Sequence, residues 1–191
     1  MSKGRLEAFS DGVIAIIITI MVLELRPPDA ATLESLGPLV PTFLSYLLSF
    51  ALLGTYWNNH HHLLQAARVI DARVLWANLH LLFWLSLFPL GTAWVGRTSF
   101  AATPVAAYGV LLLVGGLAYY VLVRMLISAP GQPAALAEAV GRDIKGKVSP
   151  ALFAVAIPIA LVAPAVAMAI YVAVVLIWIV PDRRMERVIK G

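Results

Sequence analysis

The chain contains no cysteine, which excludes disulfides and thiolate metal sites. Charge is also scarce. Only 13% of the 191 residues are Asp, Glu, Lys or Arg, while 61% are hydrophobic. Soluble globular domains lie nearer one quarter charged and half apolar. The deficit points to an integral membrane protein and away from a large soluble core. Histidines number four, far fewer than a membrane di-iron oxygenase requires. No TVGYG-type string occurs, the nearest being VGGLAYY at residues 114–120, so a carbonyl-lined filter of that kind is absent. No lysine interrupts an apolar run, which excludes a retinal Schiff base. The net charge of +4 makes no case for nucleic acid, because the basic residues are scattered between apolar runs. Acidic Glu7 and Asp11 interrupt the approach to the first apolar run, and no small-residue cleavage site follows it before Glu24. That run is therefore expected to be a membrane helix, not a cleavable signal.

What is present is a series of apolar segments. A helix needs about 20 mostly apolar residues to cross a bilayer core. The hydropathy pattern predicts an all-α membrane protein with six spans in one transmembrane domain, residues 1–191. The spans fall at about 6–25, 39–64, 75–95, 104–127, 150–162 and 164–180. The last two hang on Pro164, which either separates two helices or kinks one. As one helix, residues 150–180 would reach roughly 46 Å, well beyond a core of about 30 Å. Two short spans are the expected arrangement. With a cytoplasmic N-terminus, Lys3, Arg5, Arg68, Arg73, Arg124, Arg142, Lys145, Lys147, Arg183, Arg184, Arg187 and Lys190 fall inside. Only Arg26 and Arg97 fall outside, a strong positive-inside bias. Six spans keep both termini inside; five would expose the basic tail PDRRMERVIKG. The net charge is thus read as topology and anionic-lipid contact. The longest loop, Ser128 to Ser149, is rich in Gly, Pro and Ala, with a short helix expected around Ala134 to Val140.

The first span begins with a polar cluster, RLEAFSDG, that runs straight into IAIIITIMVL. A carboxylate such as Asp11 inside an apolar register is costly unless paired or hydrated. Partners are available at the same boundary. The second span ends in TYWNNHHHLL, with His60, His61 and His62. The third begins RVLWANLHLLFWLSLFP, with Asn78 and His80. A hydrogen-bonded network of Arg5, Ser10, Asp11, one or two histidines and Asn78 is expected there. Its plainest role is polar glue between helices. Three consecutive histidines invite a metal reading, but adjacent helical positions point about 100° apart and do not converge. No metal ligand and no catalytic residue is assigned. Histidine can still act as a pH-sensitive element.

Beyond Asp11, Ile16, Ile20 and Leu23 form one apolar stripe with Thr19 beside it, spanning roughly 10 Å of axis. Spacing alone does not separate a functional stripe from lipid contact or ordinary packing. No mid-membrane acid is evident in spans two to six, which weakens a proton-coupled transporter.

Together these motifs resemble the transmembrane-protein-175 family of potassium channels in its bacterial form. The pattern is an Arg, then Phe-Ser-Asp, then an apolar helix with Thr: Arg5, Phe9-Ser10-Asp11, and Thr19 here. The resemblance continues through WNNHHHLL and LWANLHLLFWLSLFP, while the later spans agree only in number and hydrophobicity. It implies a six-helix subunit in a homotetramer, with four copies of the first helix lining a central pore. It places Ile16, Ile20 and Leu23 on the pore, with Ile16 as the cytoplasmic-side constriction and Thr19 beside it. Arg5, Phe9, Ser10 and Asp11 would belong to the anchoring cluster with His60, His61 and Asn78. The function implied is a potassium-preferring cation channel of the bacterial plasma membrane, without a cofactor, permeable to K⁺ and other monovalent cations. An apolar ring gates by dewetting. Selectivity would then reflect the easier dehydration of K⁺ relative to Na⁺. The third histidine and Glu24 depart from the pattern; Glu24 either concentrates cations at the outer mouth or marks the end of the span. Two other classes compete. One is a secondary transporter relaying protons through Asp11 and the histidines of the second span. The other is a membrane enzyme built around the histidine run.

Overall fold

The structure, a computed structural model, describes residues 2–134, 136 and 144–179. Among them the regular structure is helical throughout. The tail PDRRMERVIKG and most of the short helix expected around Ala134 to Val140 lie outside the described residues.

Helix α1 spans Lys3–Val22. A 3-10 turn, Glu34–Leu39, leads into α2, Val40–Ala66, whose Pro41 stands in the first turn, where its missing N–H has no helical partner to lose. Helix α3, Ala72–Ser86, starts at Asp71, whose Oδ1 accepts from the Val74 amide at 3.0 Å, the usual N-cap geometry. The Arg73 guanidinium adds a 2.9 Å ion pair to the same carboxyl. The Val74 amide and then Arg73 hold the Asp71 carboxyl below its ordinary value.

The third span, expected over 75–95, is a single crossing over Ala72–Arg97 with an interruption inside it. It breaks at Leu87, and α4 runs Phe88–Arg97 with a proline in its first turn. Pro89 has no N–H to donate to Leu85 and its ring crowds that carbonyl. The chain tightens instead, with Leu87 N bonding to Trp84 O at 3.2 Å. Helix α5 spans Ala102–Ser128, α6 Ile144–Val162 and α7 Pro164–Ile179. At the other proline in question the chain reverses. Lys145 Nζ donates to Ile177 O at 2.9 Å, and Trp178 Nε1 to Ser149 Oγ at 2.9 Å. These bonds join the start of α6 to the end of α7, so the two are an antiparallel hairpin and the chain makes six passes. By length and apolarity alone, Glu34–Ala66, Ala72–Arg97, Ala102–Ser128 and Lys145–Val162 can cross a membrane, while Pro164–Ile179 is apolar but shorter. Helix α1 carries four charges, Lys3, Arg5, Glu7 and Asp11.

Side-chain ties align the passes. Lys3 reaches the C-terminus of α2, Gln132 beyond α5 bonds Arg68 N and Val69 O, and Lys145 reaches the end of α7. Lys3, Arg5, Arg68, Arg73, Arg124, Lys145 and Lys147 therefore share one end of the bundle, hereafter the basic end. Arg26 and Arg97 are at the other. Helix α1 packs on α2, α3 and α4; α5 packs on α3, α6 and α7.

The core of the later helices is aromatic. Phe88, Tyr108, Tyr171 and Phe153 follow one another edge-on with ring centroids 6.0, 6.1 and 6.1 Å apart. Each such contact adds about 0.5–1.5 kcal/mol beyond simple burial. The ladder needs a glycine: a Cβ on Gly109 would lie 2.1 Å from the Tyr171 hydroxyl. Gly96 likewise lets α4 meet α2, since its Cβ would fall 2.7 Å from Thr42 Cα. Between these elements sits a polar cluster that the sequence did not announce. Ser49 Oγ lies 2.7 Å from both Thr92 Oγ1 and the Tyr108 hydroxyl.

Candidate functional site

Helix α1 has two faces. Leu6, Ser10, Ile14, Ile17 and Met21 are buried. They recur every three or four residues, so they form one stripe along the helix. The polar member of the stripe, Ser10, begins a directed chain. Its hydroxyl donates to Leu6 O at 2.9 Å and accepts from Asn78 Nδ2 at 2.9 Å. The remaining amide atom, Asn78 Oδ1, is then the acceptor for His60 Nε2 at 2.7 Å. That bond puts the proton of neutral His60 on Nε2. Its Nδ1 is buried with no partner among the described residues, as is Glu7 Oε1. All three side chains of this chain are buried. Bonds between buried helices are worth about 0.6 kcal/mol on average in membrane bundles, but an orphaned partner costs about 1–3 kcal/mol.

Two further ties hold α1 to α2. Trp57 Nε1 donates to Asp11 Oδ1 at 3.0 Å. The Trp57 ring stacks on His61 with centroids 5.9 Å apart and an angle of 17°. His61 is fixed in turn by Gln65 at 2.8 Å. At the helix start, Lys3 Nζ donates to Gln65 O at 2.8 Å and Ala67 O at 3.0 Å. These are carbonyls at or just past the end of α2, where an ammonium is favoured. At the far end Glu24 pairs with Arg97.

The structure thus divides the expected single network. Ser10, His60 and Asn78 come together. Asp11 joins Trp57 and touches His61 only through the stack; it bonds to no histidine. Arg5 and Phe9 stand exposed on the other face of α1, away from both groups. Lys3 and Gln65 are anchors that sequence reasoning passed over; Trp57, offered by TYWNNHHHLL as a partner but left out of the expected network, stands four residues before His61 and shares its face. Among the described residues no three His, Asp or Glu side chains converge as metal ligands.

The opposite face is uncovered. Ile16 is 58% exposed, Ile20 48% and Leu23 73%. Thr19 lies exposed between them, its hydroxyl proton donated to Ile16 O at 2.9 Å. The Thr19 oxygen keeps lone pairs for a partner off the helix. The stripe therefore presents branched apolar side chains with one hydroxyl, on a helix whose rotation is set from behind.

Six helical passes among the described residues, four of them long and apolar enough to cross a membrane, define a multi-pass helical membrane protein in which one face of α1 is anchored by buried hydrogen bonds and the other is uncovered. The family profile described as "Endosomal/lysosomal potassium channel TMEM175" matches residues 5–89. A potassium channel of Chryseobacterium sp. (strain P1-3) is 48% identical over 190 residues, 100% of this chain and 99% of that one. The chain belongs to the TMEM175 family. A crystal structure of a lysosomal potassium-selective channel TMEM175 homolog from Chamaesiphon minutus matches with a TM-score of 0.78. It is 26% identical, and the match covers 93% of this chain and 96% of that chain. The endosomal/lysosomal proton channel TMEM175 of Mus musculus is 34% identical over 116 residues, 54% of this chain and 23% of that protein.

Proposed function

We propose that the protein is the subunit of a potassium-preferring cation channel, assembled as a homotetramer in a bacterial plasma membrane. The observation that carries this reading is the uncovered stripe Ile16, Ile20 and Leu23 on a helix anchored along its other face. Four such stripes around an axis make a narrow apolar pore. A pore of that kind cannot hold a continuous water column and closes by dewetting. K⁺ loses its hydration shell more readily than Na⁺, so the constriction at Ile16 favours K⁺ modestly, with few replacement ligands beyond the Thr19 oxygen. The relative of nearly full overlap is named a potassium channel, which supports the ion. The basic end supports a cytoplasmic location for both termini, since Lys and Arg concentrate in cytoplasmic loops. No cofactor and no chemical step belong to this reading; K⁺ is cargo.

The test is a planar-bilayer recording of the purified protein under a K⁺/Na⁺ bi-ionic gradient. Unitary currents reversing toward the K⁺ equilibrium potential are expected. Saturating flux that requires a proton gradient, without unitary currents, would favour the proton-coupled transporter. That rival must pass protons between Asp11 and His60 or His61, which are not hydrogen-bonded to one another.

A further inference from the structure

Away from the α1 stripe, a cavity opens near the basic end between α2, α5, α6 and α7. Its volume is about 100 Å³ and it is open on one side. Its walls are largely apolar and include Leu52, Val123, Pro150, Phe153, Val174 and Trp178. The polar side chains at its edge are largely turned to the protein. Thr55 Oγ1 donates to Leu52 O at 2.7 Å, and Asn59 Nδ2 to Thr55 O at 2.7 Å. Ser149 Oγ donates to Lys145 O at 2.8 Å while accepting from Trp178. A space lined this way offers water few partners. It suits an apolar chain.

The mouth differs from the walls. Lys147 is exposed, and Tyr120 on α5, half-exposed, also lines the cavity. Tyr56 lines the cavity, its hydroxyl 3.9 Å from where a Gly116 Cβ would lie. It can donate to an ester carbonyl. Space is kept by Gly116, where an added Cβ would meet nothing nearer than Pro150 Cγ and the Tyr56 hydroxyl, both at 3.9 Å. A side chain longer than alanine there would enter the cavity. The composite is an apolar slot with a cationic lip, at the depth where the ends of the helices meet lipid headgroups. Basic pockets between helices on the cytoplasmic side attract anionic headgroups.

We propose that this cavity is a lipid site. It takes an acyl chain of an anionic glycerophospholipid from the leaflet at the basic end, with the headgroup phosphate held at Lys147. The proposal rests on the membrane placement alone and not on which ion the pore conducts.

The full-length protein is equilibrated with vesicles of phosphatidylglycerol and phosphatidylcholine in equal parts, and retained lipid is counted by native mass spectrometry. Wild type is expected to keep phosphatidylglycerol several-fold over phosphatidylcholine. Gly116→Leu should cut retention at least fivefold, while Gly116→Ala should leave it unchanged. Lys147→Gln should lower the preference for the anionic lipid about fivefold, the effect of one basic residue near a charged surface, with total lipid little altered. A folded Gly116→Leu protein that retains lipid like wild type would overturn the site. Equal retention of the two lipids by wild type would overturn the anionic headgroup. If Gly116→Leu does not fold, brominated-chain phosphatidylglycerol decides. It should quench wild-type fluorescence more than brominated phosphatidylcholine does, and Trp178→Phe should remove the difference. A difference that survives Trp178→Phe would place the lipid elsewhere.

Discussion

On one face of α1, Leu6, Ser10, Ile14, Ile17 and Met21 are buried against the rest of the chain. On the other, Ile16, Ile20 and Leu23 stand largely uncovered. The two stripes have nearly the same hydrophobicity, so composition does not distinguish them. What differs is the polar residue each carries. Ser10 sits in a hydrogen-bonded chain that includes Asn78 and His60, and this chain sets the rotation of the helix. Among the described residues Thr19 bonds only to Ile16 O, one turn back on its own helix, and leaves its stripe chemically open. The chain alone therefore specifies how α1 is held but not what its free face meets. A helix with many more polar ties on one side than lipid contact requires is one whose angular position matters. A pore built from four copies would need that property, because a rotation of about 100° exchanges Ile16 for Ile17.

The comparison can be broken from the uncovered side first. Ile16→Asn should produce the largest effect: a several-fold rise in single-channel current, with the bi-ionic reversal potential moving toward zero as the wetted ring loses K⁺ preference. Stability should shift by no more than about 0.5 kcal/mol, as expected for an exposed position, and thermal unfolding in detergent checks this. From the anchored side, Asn78→Ala strips His60 and Ser10 of their partner together. It should lower stability by about 1–3 kcal/mol, read in the same assay, and currents that survive should be heterogeneous because α1 is no longer held at one rotation. Glu24→Gln comes next. It breaks a part-exposed pair with Arg97, worth less than about 1 kcal/mol. Unchanged conductance at low ionic strength would show that Glu24 closes the end of α1 and does not concentrate cations. Asp71→Ala has the smallest expected effect on conduction, since it touches neither face of α1. The Asp71 carboxyl is held below its ordinary value, so its contribution is present above the unfolded value near 3.9 and is lost as pH falls through the lower folded value. The variant should melt slightly earlier at neutral pH, and the gap from wild type should close on acidification through that window.

Much of the bundle was legible because bilayers impose a simple rule on composition. Apolar runs of the right length marked the passes, and Pro164 marked the last reversal. The Leu87 break was missed although Pro89 lies in full view, since a proline inside a long apolar run also occurs in a continuous kinked span. The anchoring residues were found as a set but not in their groups. Spacing put Arg5, Phe9, Ser10 and Asp11 within two turns, yet only packing shows that Ser10 turns inward, Asp11 toward Trp57, and Arg5 and Phe9 outward. The contact among Ser49, Thr92 and Tyr108 left no trace in the sequence. Ser49 and Tyr108 are each one of several hydroxyl-bearing residues on α2 and α5, and which of them meets Thr92 is set by how the helices cross. The stripe of Ile16, Ile20 and Leu23 was visible only as one of several on α1, and the fold singles it out by leaving it uncovered.

The absence of native cysteine allows the central claim to be tested directly. Single cysteines are placed at Ile16, Ile20 and Ile17 in turn, and a small thiol-reactive cation is applied while K⁺ current is recorded. If the uncovered face of α1 lines the pore, current through the Ile16→Cys and Ile20→Cys channels is blocked irreversibly, and current through Ile17→Cys is untouched. Block at Ile17→Cys, or conduction unaffected at both Ile16→Cys and Ile20→Cys, would contradict the account and put the pore on another face.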